Sequence, residues 1–67
     1  MALKTKIKEH REAAGLTQSD LADLVNVRRE TILHLENGRY NPSLKLAMDI
    51  ASVFHVAVED LFEFVGD

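Results

Sequence analysis

Sixty-seven residues, 46% of them apolar, allow one small core and little more. The absence of cysteine excludes a disulfide framework, a thiolate nucleophile and a Cys-based zinc site. No apolar run reaches the length of a membrane span, and the opening Met-Ala-Leu-Lys-Thr-Lys turns charged too early for a secretory leader. The formal charge of −3 divides unevenly. Residues 1–45 carry all eight Lys and Arg against six acids, a balance of +2, whereas residues 46–67 carry five acids and no Lys or Arg, a balance of −5. Local field rather than net charge attracts phosphate, so the basic stretch keeps nucleic acid in play as a partner. The lack of leader and cysteine points to a reducing, cytoplasmic setting, and the small size points to a partner chain.

Helical spacing governs the chain and predicts a single all-α domain of five short helices over 1–67; the family resemblance given below implies a core over about 3–62 and a tail over 63–67. The first helix is expected from about Lys4 to Ala14, with Leu3, Ile7, Arg11 and Ala14 on one face and Gly15 ending it in the left-handed conformation. Thr17 reads as an N-cap, with Asp20 completing a short-armed capping box. A second helix follows over about Gln18 to Val25, burying Leu21, Ala22 and Val25. Asn26 suits a left-handed turn position. A third helix, about Arg29 to Asn37, turns Ile32, Leu35 and Glu36 inward and stops at Asn37-Gly38. Asn41-Pro42-Ser43 is loop chemistry, with Ser43 as the next N-cap. The fourth helix, about Leu44 to Phe54, has Leu44, Ala47, Ile50, Ala51 and Phe54 at core spacing. A fifth, about Glu59 to Phe64, begins with acids that suit the positive end of its dipole and carries Leu61.

The second and third helices, joined tightly around Asn26, make a helix-turn-helix pattern, in which the second helix of the pair can enter a major groove. Its outward run Arg28, Arg29, Glu30, Thr31, with His34 one turn on, holds side chains able to reach base edges or phosphates. From the residues alone that run fits a solvated helix face equally well.

Three blocks, Leu16-Thr17-Gln18-Ser19-Asp20-Leu21-Ala22, Thr31-Ile32-Leu33-His34-Leu35-Glu36-Asn37-Gly38 and Asn41-Pro42-Ser43-Leu44, occur in order along the chain. Together they resemble the lambda-repressor-like, Cro-type helix-turn-helix family, also called XRE, over about residues 3–62. The groove-docking geometry belongs to that broad family. The resemblance implies double-stranded DNA as partner. Arg28, Arg29, Glu30 and His34 would read or flank bases. Gln18, Thr31, Asn37, Arg39 and Tyr40 would hold the backbone, Gln18 aided by its helix start. By groove chemistry Arg29 suits guanine and Glu30 suits a cytosine amino group. Glu30 near phosphate also costs affinity, and so excludes wrong sites. The resemblance further implies a structural ion pair of Arg11 with Glu36 between the first and third helices.

Three residues depart from the family's usual pattern. Arg28 stands where Ser or Thr commonly caps the third helix, Glu30 where an amide or small polar residue is common, and Leu33 where a polar residue is common. His10, His34 and His55 lack ligand spacing, and no nucleophile, Gly-rich phosphate loop or carboxylate pair accompanies them, so no metal, cofactor or catalytic residue is expected. Leu46, Val53, Phe62, Phe64 and Val65 are left over from the core and suggest a homodimer interface, with Phe62-Glu63-Phe64-Val65 able to add a strand. The leading expectation is a dimeric repressor on a palindromic operator, a restriction-modification controller being one variant. An autoregulating antitoxin and a protein-interaction adaptor that binds no DNA are the alternatives.

Overall fold

The computed structural model describes residues 2–66. Strand β1 (Ala2–Thr5) leads into helices α1 (Ile7–Ala13), α2 (Gln18–Leu24), α3 (Arg29–Glu36), α4 (Leu44–Phe54) and α5 (Val58–Leu61), and strand β2 (Phe62–Val65) closes the chain. The strands pair antiparallel, with Ala2 opposite Val65, Leu3 opposite Phe64, Lys4 opposite Glu63 and Thr5 opposite Phe62. The all-α expectation is therefore corrected at both ends. Lys4 is in a strand rather than a helix, and so are Phe62 and Phe64. The cause is a period of two. Leu3 and Thr5 are half-buried while Lys4 between them is exposed, and such alternation suits a pleat better than a helix. The ladder continues into Lys6, whose N–H donates to the Leu61 carbonyl at 2.9 Å. The strand that the 62–65 alternation allowed forms in place of the helix expected to reach Phe64, and it pairs with the same chain's opening residues rather than with a second copy.

Local chemistry sets the helix limits. Thr17 Oγ1 accepts from the Asp20 N–H at 3.0 Å and Asp20 Oδ2 accepts from the Thr17 N–H at 2.9 Å, a complete capping box. Those bonds hold the Asp20 carboxyl below its ordinary value, the backbone N–H first and the hydroxyl second. Asn26 has φ 60°, the left-handed turn between α2 and α3, and the chain closes there through a Val27 N–H to Ala22 carbonyl bond of 2.9 Å. Ser43 Oγ accepts from the Leu46 N–H at 3.1 Å and starts α4. Arg28 precedes α3 without a side-chain cap. Gly38 has φ +70°, and a Cβ there would run into the backbone carbonyl of Leu3. The end of α3 thus rests directly on β1, a contact only glycine permits.

The core gathers Ile7, Leu21, Ala22, Val25, Ile32, Leu35, Ile50 and Leu61 with Leu46 and Ala51, and Val53, Phe54 and Phe62 pack half-buried against it. Two expectations for α4 reverse. Leu44, assigned to the core, is 73% exposed, and Leu46, assigned to a spare stripe, is 8% exposed. The buried face of α4 runs Leu46, Ala47, Ile50, Ala51, and Leu44 lies ahead of it in the first turn. Ala14, also assigned inward, is exposed just past the end of α1.

Candidate nucleic-acid interface

Helix α3 has two contrasting faces. Ile32 and Leu35 are fully buried. Arg28, Arg29, Glu30 and His34 are exposed, Thr31 and Leu33 half-buried, and Asn37, Arg39 and Tyr40 exposed beyond the helix end. The ridge is thus open to solvent at Arg28, Arg29, Glu30 and His34 and partly covered at Thr31.

The inner side of the site is a connected set of side chains. Arg11 on α1 donates from Nε to Glu36 Oε2 at 2.7 Å and from Nη2 to Glu36 Oε1 at 3.3 Å, a forked pair with side-chain exposures of only 10% and 4%. Its remaining nitrogen, Nη1, donates to the Leu16 carbonyl at 2.8 Å. The hydrogen bond with Glu36 holds the Arg11 guanidinium above its ordinary value against the cost of burial. Gln18, first residue of α2, donates from Nε2 to Glu36 Oε1 at 3.1 Å. Its Oε1 accepts from Arg29 Nη1 at 3.3 Å. Four of the residues singled out in the sequence are therefore joined in one chain, Arg11–Glu36–Gln18–Arg29, across three helices. The links through Gln18 carry no local sequence signal.

A shallow groove beside the turn is lined by Asn26, Thr31, Tyr40, Ser43 and Lys45. Lys45 was not among the sequence candidates. It pairs with Asp49 one turn along at 2.7 Å, with the lysine side chain 85% exposed. Its signal in the sequence was its place two residues after the Ser43 cap, where a cation and the helix start face the same groove.

A second, apolar groove is bounded by Leu3, Pro42, Leu44, Ala47, Phe62 and Phe64. Phe64 is 63% exposed and Met48 54%, and Val65 is also exposed. Of the residues expected at an interface, Phe64 and Val65 are free, Phe62 and Val53 are half-covered by their own core, and Leu46 is buried. Leu46 is therefore removed from that set. His10 stacks near Phe54, with ring centroids 5.6 Å apart, and His55 caps α4 at φ 56°. Among the described residues no three acids or histidines are gathered to hold a metal, and no helix is long and apolar enough to cross a membrane.

A family model described as helix-turn-helix matches residues 7–61. The chain belongs to the helix-turn-helix family. It is a DNA-binding transcriptional regulator of the lambda-repressor-like type. An uncharacterized HTH-type transcriptional regulator of Archaeoglobus fulgidus is 56% identical over 62 residues, covering 92% of this chain and 89% of the relative. A second, MJ0272 of Methanocaldococcus jannaschii, is 48% identical over 65 residues, covering 97% and 98%. Among solved structures, the restriction-modification controller protein C.AhdI from Aeromonas hydrophila superposes with a TM-score of 0.73 at 30% identity, over 81% of this chain and 82% of that one. The clp gene regulator ClgR from Corynebacterium glutamicum gives 0.74 at 26% identity, over 81% of this chain and 57% of that one.

Proposed function

We propose that this helix-turn-helix regulator is a dimeric, cytoplasmic repressor, a single DNA-binding unit that occupies a palindromic operator. Arg28, Arg29, Glu30 and His34 read base edges in the major groove. Thr31, Asn37, Arg39 and Tyr40 hold the phosphate rails, with Gln18 at the head of α2 and Lys45 on the flank. The observation that carries this reading is the two-sided character of α3. Its polar ridge is open to solvent, while its inner side is fixed to α1 through the buried Arg11–Glu36 pair. A reading helix needs both, because base discrimination fails when the reader can tilt.

The second copy docks on the apolar groove between β2 and the start of α4. Exposed Leu44, Met48 and Phe64 are too many large apolar side chains for so short a chain to leave in water. Pairing two copies there would set two reading helices about 34–36 Å apart, one turn of duplex.

Selection of bound sites from random duplex, followed by a salt titration, tests the reading. The expected result is an inverted repeat, with affinity falling as salt rises at a slope of about −0.9 per neutralised phosphate. A protein that enriches no motif and ignores salt would reject it. For the dimer, Phe64→Glu should sediment as a monomer, and its melting temperature should stop rising with protein concentration as that of the wild type does. An unaltered mass would reject that face.

A further inference from the structure

We propose that Glu30 and Leu33 together read a cytosine that carries a methyl group at C5, and that this pair distinguishes 5-methylcytosine from both plain cytosine and thymine. The inference deepens the DNA-reading role of α3 proposed above and rests on it.

Leu33 is an apolar side chain set within the polar outward run of α3. It is half-buried, yet it does not share the packing against the core that half-buried Val53 and Phe54 have. Its place in the helix accounts for the partial cover. Leu33 lies four residues after Arg29 and three after Glu30, and side chains at those spacings are neighbours on a helix surface. Helical side chains also lean toward the N-terminus, so Leu33 lies over the turn that carries Arg29 and Glu30. Glu30 itself is exposed, and its carboxylate joins neither of the ion pairs formed among the described residues, Arg11–Glu36 and Lys45–Asp49. The outer surface of α3 thus presents a free acceptor directly beside an apolar group.

The major-groove edge of a pyrimidine offers two adjacent signals. At position 4 cytosine presents an amino donor and thymine a carbonyl acceptor, and at position 5 thymine alone carries a methyl group. A carboxylate accepts from the amino group and is repelled by the carbonyl. A leucine gains by covering a methyl group and gains little over a bare ring carbon. Plain cytosine therefore satisfies only Glu30, and thymine only Leu33. The base that satisfies both has an amino group at position 4 and a methyl at position 5, which is 5-methylcytosine. Arg29, on the other side of Leu33, supplies donors that suit guanine O6 and N7 close by. A Leu33 that merely finished the edge of the domain would be indifferent to the methyl group.

The test uses the operator selected from random duplex, resynthesised with each cytosine in turn replaced by 5-methylcytosine or, with its partner base, by thymine. At one position of a half-site the methyl should tighten wild-type binding about fourfold, the gain expected for burying one methyl group. Thymine at that position should weaken binding by at least about tenfold. Leu33→Ala should bring the ratio of methylated to plain cytosine to about one. Glu30→Gln, whose amide donates as well as accepts, should bring 5-methylcytosine and thymine to within about threefold of each other. Each variant is read as a ratio between two duplexes on the same protein, so a uniform loss of affinity or stability cancels. An operator at which no cytosine gains from the methyl overturns the inference. So does a gain that Leu33→Ala retains, since the methyl then acts through the shape of the duplex, and so does thymine binding as well as 5-methylcytosine in the wild type. Sequence-specific binding that ignores the methyl leaves the DNA-reading role of α3 standing and overturns this inference alone. A protein that enriches no sequence from plain or fully methylated random duplex overturns both together.

Discussion

Between α1 and α3 the molecule closes on side chains. Arg11 and Glu36 meet across 25 positions of sequence, and Gln18 and Arg29 extend their contact to the surface. Between the chain's opening and closing residues it closes on backbone, through a four-residue ladder that any sequence of suitable alternation could form. The first kind of closure depends on particular atoms and fails sharply when one is removed. The second tolerates changes of side chain and fails when the backbone path is obstructed. A regulator of this size uses the first where an angle must be held and the second where two ends need only be kept together.

The sharpest way to break this contrast is at the ion pair. Arg11→Ala or Glu36→Ala should each cost about 3–5 kcal/mol, because each strands a charge in a site with almost no solvent. Denaturant unfolding measures the loss. The paired change Arg11→Met with Glu36→Leu should lose clearly less than either alone, since no orphan charge remains. If the three variants were equally unstable, the pair would be packing rather than charge pairing.

On the backbone side the largest effect belongs to Gly38. Gly38→Ala adds a methyl against the Leu3 carbonyl at a positive φ, and should cost about 1–3 kcal/mol, read as a lowered melting temperature. Lengthened or altered side chains at Lys4 or Glu63, whose positions face outward, should leave stability nearly unchanged.

A smaller effect lies at the α2 cap. Thr17→Ala should cost about 1 kcal/mol. The Asp20 half of the same box titrates. Its carboxyl is held low in the folded protein, so its contribution is complete above the ordinary carboxylate value and disappears as pH falls through the lowered one. Asp20→Asn should therefore be less stable than wild type at neutral pH, and the two melting curves should converge on acidification. The smallest change is a gain. Thr5 Oγ1 is buried without a hydrogen-bond partner, and Thr5→Val, which keeps the shape and removes the hydroxyl, should raise stability by up to about 1 kcal/mol.

Much of this was legible in the residues. Thr17 with Asp20, Asn26 and Ser43 act on their own neighbourhoods, so their chemistry could be read from a few adjacent letters, and the limits of α2, α3 and α4 followed. The outward ridge from Arg28 to His34 followed from helical period. What could not be read was decided at a distance. Lys4 to Thr5 resemble helix until Phe62 to Val65 lie beside them, and no local signal joins segments at opposite ends of the chain. Leu44 and Leu46 exchanged roles because the angle of α4 against its neighbours selects the buried stripe. The hydrogen bond from Gln18 to Glu36 forms only once α2 and α3 have packed, so no local pattern announces it.

The bare approach of Gly38 to Leu3 gives the sheet an influence on α3 that its size conceals. No side chain cushions that contact, so the height of the helix end follows the strand like a stylus on a ruled edge. Sliding β1 by one residue along β2 would turn Lys4 inward in place of Leu3 and present a different carbonyl beneath the glycine. The register of eight residues at the two extremities thus sets the level at which the end of α3 stands over the sheet.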